Sequence, residues 1–251
     1  MSAQEHILVA GAGIAGLGAA LAFGDGKRRV TIVDRDPEPP DSCPEEAFHT
    51  WERRGATQLR HSHVFLGRLT TLIRDRYPKL LEELLGEGAR LFSYQDALPP
   101  SLHDAYKPAP GDEDMMFLFS RRTTLELIMR RYAARLPGVT FIPDAGVRGF
   151  LSRRDAGLLV LEGLQVERNG SVEDMRADAV VDATGRNTMF PDWLRAQGLD
   201  IIEEESPAGI LYFTRHYRLR DGADEPPRDG TRGAGDLGYI KFGVFVADNR
   251  H

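Results

Sequence analysis

The chain has a single cysteine, Cys43, among its 251 residues. One thiol excludes an intrachain disulfide framework and any metal site built from several cysteines, and no metal ligand set is expected. Cytoplasmic placement fits this usage. Cys43 stands in PEPPDSCPEE, where nothing nearby would stabilise a thiolate, so it is read as an ordinary side chain. A strong excess of either charge is also lacking: 32 basic residues against 38 acidic ones leave a net charge of −6. No global field would draw the protein to nucleic acid or an anionic membrane, and neither is expected as a partner. The one long apolar run, ILVAGAGIAGLGAALAF at 7–23, carries four glycines and follows MSAQEH, which has an acid but no Lys or Arg. A secretory leader wants a basic start. A buried strand followed by a helix explains the run better than a membrane span. There is no internal repeat, and no low-complexity tract beyond proline-rich loops.

What remains is an ordinary globular mixture, 41% hydrophobic and 28% charged, long enough for one large domain or two small ones. Residues 6–10 read as a short buried strand, 14–23 as a helix and 28–34 as a second strand rich in β-branched residues. An irregular excursion is expected over 35–60, with four prolines between 37 and 44. A helix is expected over 62–85, kinked or split at Pro78. Residues 95–114 read as loop, with Pro99, Pro100, Pro108 and Pro110. Then come a short strand at 115–120, an amphipathic helix at 122–136 stopped by Pro137-Gly138, and a strand at 139–143. Three alternating runs follow at 145–152, 157–167 and 172–180, the last two joined by Asn169-Gly170, a hairpin signal. The third run continues into AVVDATG (179–185), and a short helix covers 190–197. Beyond Leu199, long strands are expected at 210–220 and 239–247.

Gly11-Ala-Gly13-Ile14-Ala15-Gly16 matches G-x-G-x-x-G in its required setting: a strand before it, a helix after it, a second strand, and an acid at that strand's end. Gly11 permits the tight turn, Gly13 lets backbone approach a pyrophosphate, and Gly16 allows close helix–strand packing. Around Ile14 and Ala15 the helix start offers free N–H groups and a positive dipole end to phosphate. Asp34, 18 residues after Gly16, can accept hydrogen bonds from the adenosine ribose and would repel a 2′-phosphate. FAD and NAD share the ADP half, so this chemistry alone leaves both open.

Several blocks, in order and spacing, resemble the flavin-dependent aromatic hydroxylases typified by para-hydroxybenzoate hydroxylase. They are GAGIAGLGAALAFGDGKRRVTIVDRDP, QLRHSHVFLGRL, SRRTTLELIMRR and VVDATGRNT, and the likeness covers about residues 5–195. The resemblance implies FAD as cofactor, NADH or NADPH as electron donor, and dioxygen-dependent hydroxylation of an aromatic or related small molecule. It also implies that Asp34 and Arg35 line the adenosine site and that Arg122, with Arg121 as neighbour, reaches the FAD phosphates. Val147 would meet the adenine through its backbone, and Asp182 would lie on the flavin side. In Arg60-His61-Ser62-His63 three readings stay open: a helix start capped by Ser62, a His-x-His metal pair lacking an evident third ligand, and a block near the flavin in which Arg60 is the favoured contact.

The expected architecture is therefore α/β: a Rossmann-like FAD-binding domain over 1–199, with a parallel sheet, a β-meander and an excursion over 35–114, then part of a β-rich substrate domain over 200–251. A meander placed before the fourth parallel strand disfavours a simple nicotinamide dehydrogenase. On the substrate-domain strand, alternation would put Tyr212 and His216 on one face and Arg215 and Tyr217 on the other. The family's third block, Gly-Asp followed by a proline- and glycine-containing run, is not matched. Gly235-Asp236 lies amid strand-like sequence and is read as a loop. The chain thus resembles the first half to two-thirds of such an enzyme, with a homo-oligomer or a complementing C-terminal segment as expected partners. Other FAD-dependent reductases, cyclases or halogenases, and a non-catalytic dinucleotide-binding fragment, stay as alternatives.

Overall fold

Short buried strands alternate with helices through the N-terminal part of the chain, in a computed structural model that describes residues 4–98, 100–225 and 233–251. Pro99 of the loop-like run, and 226–232 within the expected β-rich stretch, lie outside the described residues. In chain order the elements are β1 (His6–Ala10), α1 (Ile14–Phe23), β2 (Arg29–Val33), α2 (Pro44–Thr50), α3 (Gly67–Arg76), α4 (Pro78–Gly86), β3 (Arg90–Phe92), α5 (Tyr94–Ala97) and α6 (Pro100–His103), then β4 (Phe117–Phe119), α7 (Arg122–Ala134), β5 (Val139–Ile142), β6 (Ala145–Asp155), β7 (Leu158–Arg168), β8 (Ser171–Arg176), β9 (Ala179–Asp182), α8 (Phe190–Ala196), β10 (Ala234–Asp236) and β11 (Lys241–Gly243). They form two compact units, each gathered from separated lengths of chain. The first is Met1–Asp41, Thr50–Gln58 and Met129–Leu211; the second is Ser42–His49, Leu59–Ile128 and Tyr212–His251.

The first unit is built on a parallel sheet of order β5-β2-β1-β9. β1 is buried along its whole length, as the apolar run from Ile7 to Ala10 requires for a central strand covered on both faces. It pairs with β2 from His6↔Arg29 to Ala10↔Val33 and with β9 from Ile7↔Ala179 to Ala10↔Asp182. Between β5 and β9 the chain makes an antiparallel meander, β6-β7-β8. Its second turn is Asn169-Gly170, both at positive φ (52° and 78°), as a two-residue type I′ hairpin demands. Leu8 and Val33 of the parallel sheet, Leu164 and Val166 of the meander, and Phe190 of α8 share one core cluster. Each such large side chain stabilises the fold by roughly 1.5–3 kcal/mol on burial. The α/β class with a parallel sheet and meander thus holds.

In the second unit, α3 and α4 are separate helices because Pro78 opens the second at its first turn, where a missing N–H costs nothing. β3 and β4 pair antiparallel, Arg90↔Phe119 to Phe92↔Phe117. The expected helix 62–85 starts only at Gly67. Phe65 is drawn instead into a bridge with Leu118, its N–H donating at 3.2 Å and its carbonyl accepting at 3.0 Å. The excursion 35–60 is not wholly irregular either: α2 forms there, opened by Pro44 with Glu45 and Glu46 in its first turn, both favourable at a helix N-terminus.

The long strands expected at 210–220 and 239–247 do not form. Residues 210–220 carry no regular structure, and Leu211, Tyr212, Phe213 and Tyr217 are exposed. An alternating pattern marks a face able to be buried, but a strand exists only when another lies alongside it. Tyr212, Arg215, His216 and Tyr217 accordingly do not sort onto two faces of a strand. Gly235-Asp236, expected in a loop, lies in β10, which pairs with β11 through Ala234↔Gly243 and Asp236↔Lys241. Among the described residues no helix is long and apolar enough to cross a membrane.

Candidate functional site

The turn between β1 and α1 is the most constrained part of the first unit. Gly11 has φ +100°, and a Cβ there would stand 2.5 Å from the Ala183 carbonyl oxygen at the end of β9. Only glycine suits both the backbone and the approach. A Cβ on Gly16 would fall 1.8 Å from the Gly11 carbonyl oxygen, so the helix can start this close to the turn only without a side chain there. Gly13 differs. It is the N-cap of α1, offers no side-chain cap, and a Cβ on it would meet nothing within 4 Å. No acid stands in the first turn of α1. The helix therefore presents amide donors and the positive end of its dipole across an open surface at Gly13. The residues fit a dinucleotide's pyrophosphate. The site lies where ligands bind in open α/β sheets, at the carboxyl ends of the two inner strands β1 and β2.

Asp34 follows β2 directly, its N–H bonded to the Ile142 carbonyl and its carbonyl accepting from Ala145, both at 2.9 Å. Only 7% of the residue is exposed. Its carboxylate accepts from Arg53 Nη2 at 3.1 Å, and more loosely from the Asp36 N–H at 3.4 Å. Arg53 also donates from Nε to Asp36 at 2.9 Å and packs its guanidinium over the Trp51 ring at 5.1 Å. Asp36, fully buried, accepts further from the backbone N–H groups of Arg54 at 3.1 Å and Gly55 at 3.0 Å. Burial pushes the Asp34 carboxyl above its ordinary range, with Arg53 pulling the other way.

Among the other residues singled out in this unit, Arg35 is exposed and donates to the Arg54 carbonyl at 3.2 Å. Val147 sits on β6 opposite Val166, packed against the core cluster. Asp182 closes β9. Its carboxylate accepts from Thr184 N–H at 3.0 Å and Thr184 Oγ1 at 2.6 Å, and from the Thr188 hydroxyl. It organises the turn leading to Gly185, which has φ +88°.

Arg60 and Arg122 belong to the second unit. Arg60 donates from Nε to the Phe48 carbonyl at 2.6 Å and from Nη2 to the His49 carbonyl at 3.2 Å, capping the last turn of α2 with positive charge. Arg122 pairs with buried Glu126, and its Nη1 lies 3.4 Å from His63 Nε2. His63 Nδ1 lies 2.7 Å from the His61 carbonyl. It must be the protonated nitrogen, leaving Nε2 as the acceptor. Burial holds the His63 imidazole below its usual range. Ser62 donates its own N–H to Thr214 Oγ1 at 3.3 Å, and α3 has no side-chain cap. Among the described residues no group of His, Cys, Asp or Glu is arranged to hold a metal ion.

Two features were not read from the sequence. One is Arg53, whose carboxylate partners lie 17 and 19 residues away with no motif joining them. The other is the fully buried Asp248. It accepts from the Arg121 backbone at 2.5 Å and from its guanidinium at 2.8 and 3.1 Å, and from Thr124 Oγ1 at 2.6 Å. Burial raises the Asp248 carboxyl, but the Arg121 and Thr124 bonds outweigh it and hold the group below the usual carboxylate range.

No protein-family model matches the chain. Protein Rv3254 of Mycobacterium tuberculosis (strain ATCC 25618 / H37Rv) is 27% identical over 237 residues, 87% of this chain and 46% of that protein. The chain thus spans about half the length of the curated relative it matches. Among solved structures, PqsL of Pseudomonas aeruginosa in complex with 2-aminobenzoylacetate superposes with a TM-score of 0.54 at 15% identity, over 81% of this chain and 49% of that one. Aklavinone-11 hydroxylase, solved with FAD and aklavinone, gives 0.51 at 18% identity over 76% of this chain and 35% of that one. BexE gives 0.51 at 19% identity, over 76% and 34%. The fold is that of FAD-dependent monooxygenases.

Proposed function

We propose that this chain forms the FAD-binding part of an NADH- or NADPH-dependent monooxygenase acting on an aromatic or related small molecule. The carrying observation is the open helix start at Gly13, set between a glycine turn that no other residue fits and a buried carboxylate, Asp34, at the end of the neighbouring strand. Phosphates would rest on the backbone around Gly13, Ile14, Ala15 and Gly16. Asp34 would take the adenosine ribose, with Arg35 beside it. The likeness of fold to FAD-dependent monooxygenases supports FAD over NAD, and the meander between β5 and β9 fits the same choice. The folds compared do not favour the reductase, cyclase, halogenase or non-catalytic readings.

When bound, the flavin supplies electron transfer and the reaction with dioxygen. The chain's own residues bind and orient it. Val147 would face the adenine and Asp182 the flavin side. Cytoplasmic placement belongs to the same reading, supported by the single cysteine. So do a small-molecule substrate and a partner, either a second copy or a complementing C-terminal segment.

The test is a visible absorbance spectrum of the purified chain before and after addition of FAD and desalting. Retained flavin bands are expected, followed by NADPH- and oxygen-dependent hydroxylation of candidate phenols once any complementing segment is supplied. A folded chain that retains no flavin and instead binds NAD on titration would refute the FAD assignment.

A further inference from the structure

Two carboxylates, Asp34 and Asp36, sit within one short turn after β2, with 7% and 0% of the residues exposed. Two buried like charges so close are unfavourable unless a cation and hydrogen-bond donors offset both. A single side chain reaches both. Arg53, its own side chain only 4% exposed, lays Nη2 on Asp34 at 3.1 Å and Nε on Asp36 at 2.9 Å. Asp36 has two backbone donors besides, from Arg54 and Gly55. The Asp34 side chain, 10% exposed, has just one loose backbone donor, the Asp36 N–H at 3.4 Å. A carboxylate can accept about four hydrogen bonds. With Arg53 and the Asp36 N–H in place, Asp34 keeps two positions for the two hydroxyls of a ribose.

We infer that Arg53 is a positioning residue for the nucleotide: by bridging Asp34 and Asp36 it aims Asp34 and keeps it an acceptor for the adenosine ribose. The inference rests on the reading of Asp34 as the ribose acceptor. It makes the segment 50–58, from which Arg53, Arg54 and Gly55 all reach the acids, the support of the adenosine end of the site. The charged groups facing Asp34 are Asp36 beyond its own strand, Arg53 from 50–58, and Arg130 from α7, itself paired with Glu38 at 3.5 Å. Burial already favours the protonated form of Asp34, with Arg53 the first opposing influence. A protonated Asp34 would lose acceptor capacity and with it one ribose bond.

The test measures FAD affinity of the intact chain by flavin fluorescence from about pH 5.5 to 8.5, a window spanning the upper range of raised carboxylates. Wild type is expected to lose some affinity toward the acid end, because its Asp34 carboxyl is raised even with Arg53 in place. Arg53→Met should bind about tenfold or more weakly at neutral pH, with the loss shrinking as pH rises and Asp34 ionises. Arg53→Lys keeps the charge but cannot span both acids. It should lose roughly three- to tenfold without a new pH dependence, and it carries the test should the methionine variant fail to fold. A lower melting temperature with the wild-type affinity and pH profile in both variants would mean a merely structural role and overturn the proposal. Asp34→Asn tests the underlying reading separately: it should bind weakly at every pH. If Asp34→Asn binds FAD like wild type, the ribose assignment falls and the proposal with it. If Asp34→Asn binds weakly while both Arg53 variants bind like wild type, only the proposal falls.

Discussion

Adding one methyl group at Gly13 or at Gly16 should separate cofactor binding from folding. Gly13 has φ −74° and ψ −174°, a conformation alanine adopts freely, and its Cβ would meet nothing within 4 Å. The cost of Gly13→Ala to the unliganded fold is then limited to the poorer N-cap, about 1 kcal/mol at most. The same methyl stands where a pyrophosphate would come nearest the backbone. Losing one charge-assisted hydrogen bond there costs about 1.5–3 kcal/mol, a roughly tenfold to hundredfold rise in the Kd for FAD. At Gly16 the added carbon would fall 1.8 Å from the Gly11 carbonyl oxygen. A backbone atom cannot swing aside, so the whole turn must retreat by more than an ångström. Overpacking of that kind costs about 1–3 kcal/mol, or roughly 2–4 °C of Tm per kcal/mol at this chain length. It also displaces the amide donors, so FAD binding falls as well. Thermal unfolding and a flavin fluorescence titration on both variants check this. Wild-type FAD affinity in Gly13→Ala would refute placement of the phosphates at this turn. An unchanged Tm in Gly16→Ala would refute the crowding that makes glycine necessary.

Asp248→Asn should destabilise the second unit by about 1–3 kcal/mol, because it takes one of two carboxylates from buried Arg121 and leaves Glu45, 2.9 Å from Nη1, as the other; the midpoint of urea unfolding reports it, and an unchanged midpoint would count against the ion pair. The folded Asp248 carboxyl is held below its unfolded value. Its contribution is therefore present above about pH 4 and drains away as pH falls through the folded value, so the acid-unfolding profile of Asp248→Asn should be flatter than that of wild type. Arg60→Ala should cost about 1–2 kcal/mol by uncapping α2, with Arg60→Lys recovering part of that in thermal melts. If Arg60 also reaches the cofactor, the alanine variant loses FAD affinity beyond its loss of stability, whereas a change in Tm alone would confine it to the cap.

The β1–α1–β2 unit was legible because each part of its signal is local: a buried apolar run, three glycines at fixed spacing, and an acid at the end of the next strand. The hairpin at Asn169-Gly170 was legible for the same reason, since two residues able to hold positive φ decide the turn. The misreadings share a different cause. The pattern over 62–66 suits a helix, but Phe65 pairs with Leu118, a residue far along the chain. The segment 210–220 alternates like a strand and has none beside it. α2 hides behind prolines that resemble loop until Pro44 is seen to open a helix.

What the sequence by itself determined is the backbone logic of the glycine turn and the period of each buried element, because dihedral freedom and side-chain spacing are properties of neighbours. What only the tertiary structure decided is which charges meet. Arg53 bridges acids 17 and 19 residues away, and Arg121 grips Asp248 across 127. A buried carboxylate must be offset by whatever cation the fold brings beside it, and no local pattern records which one that will be.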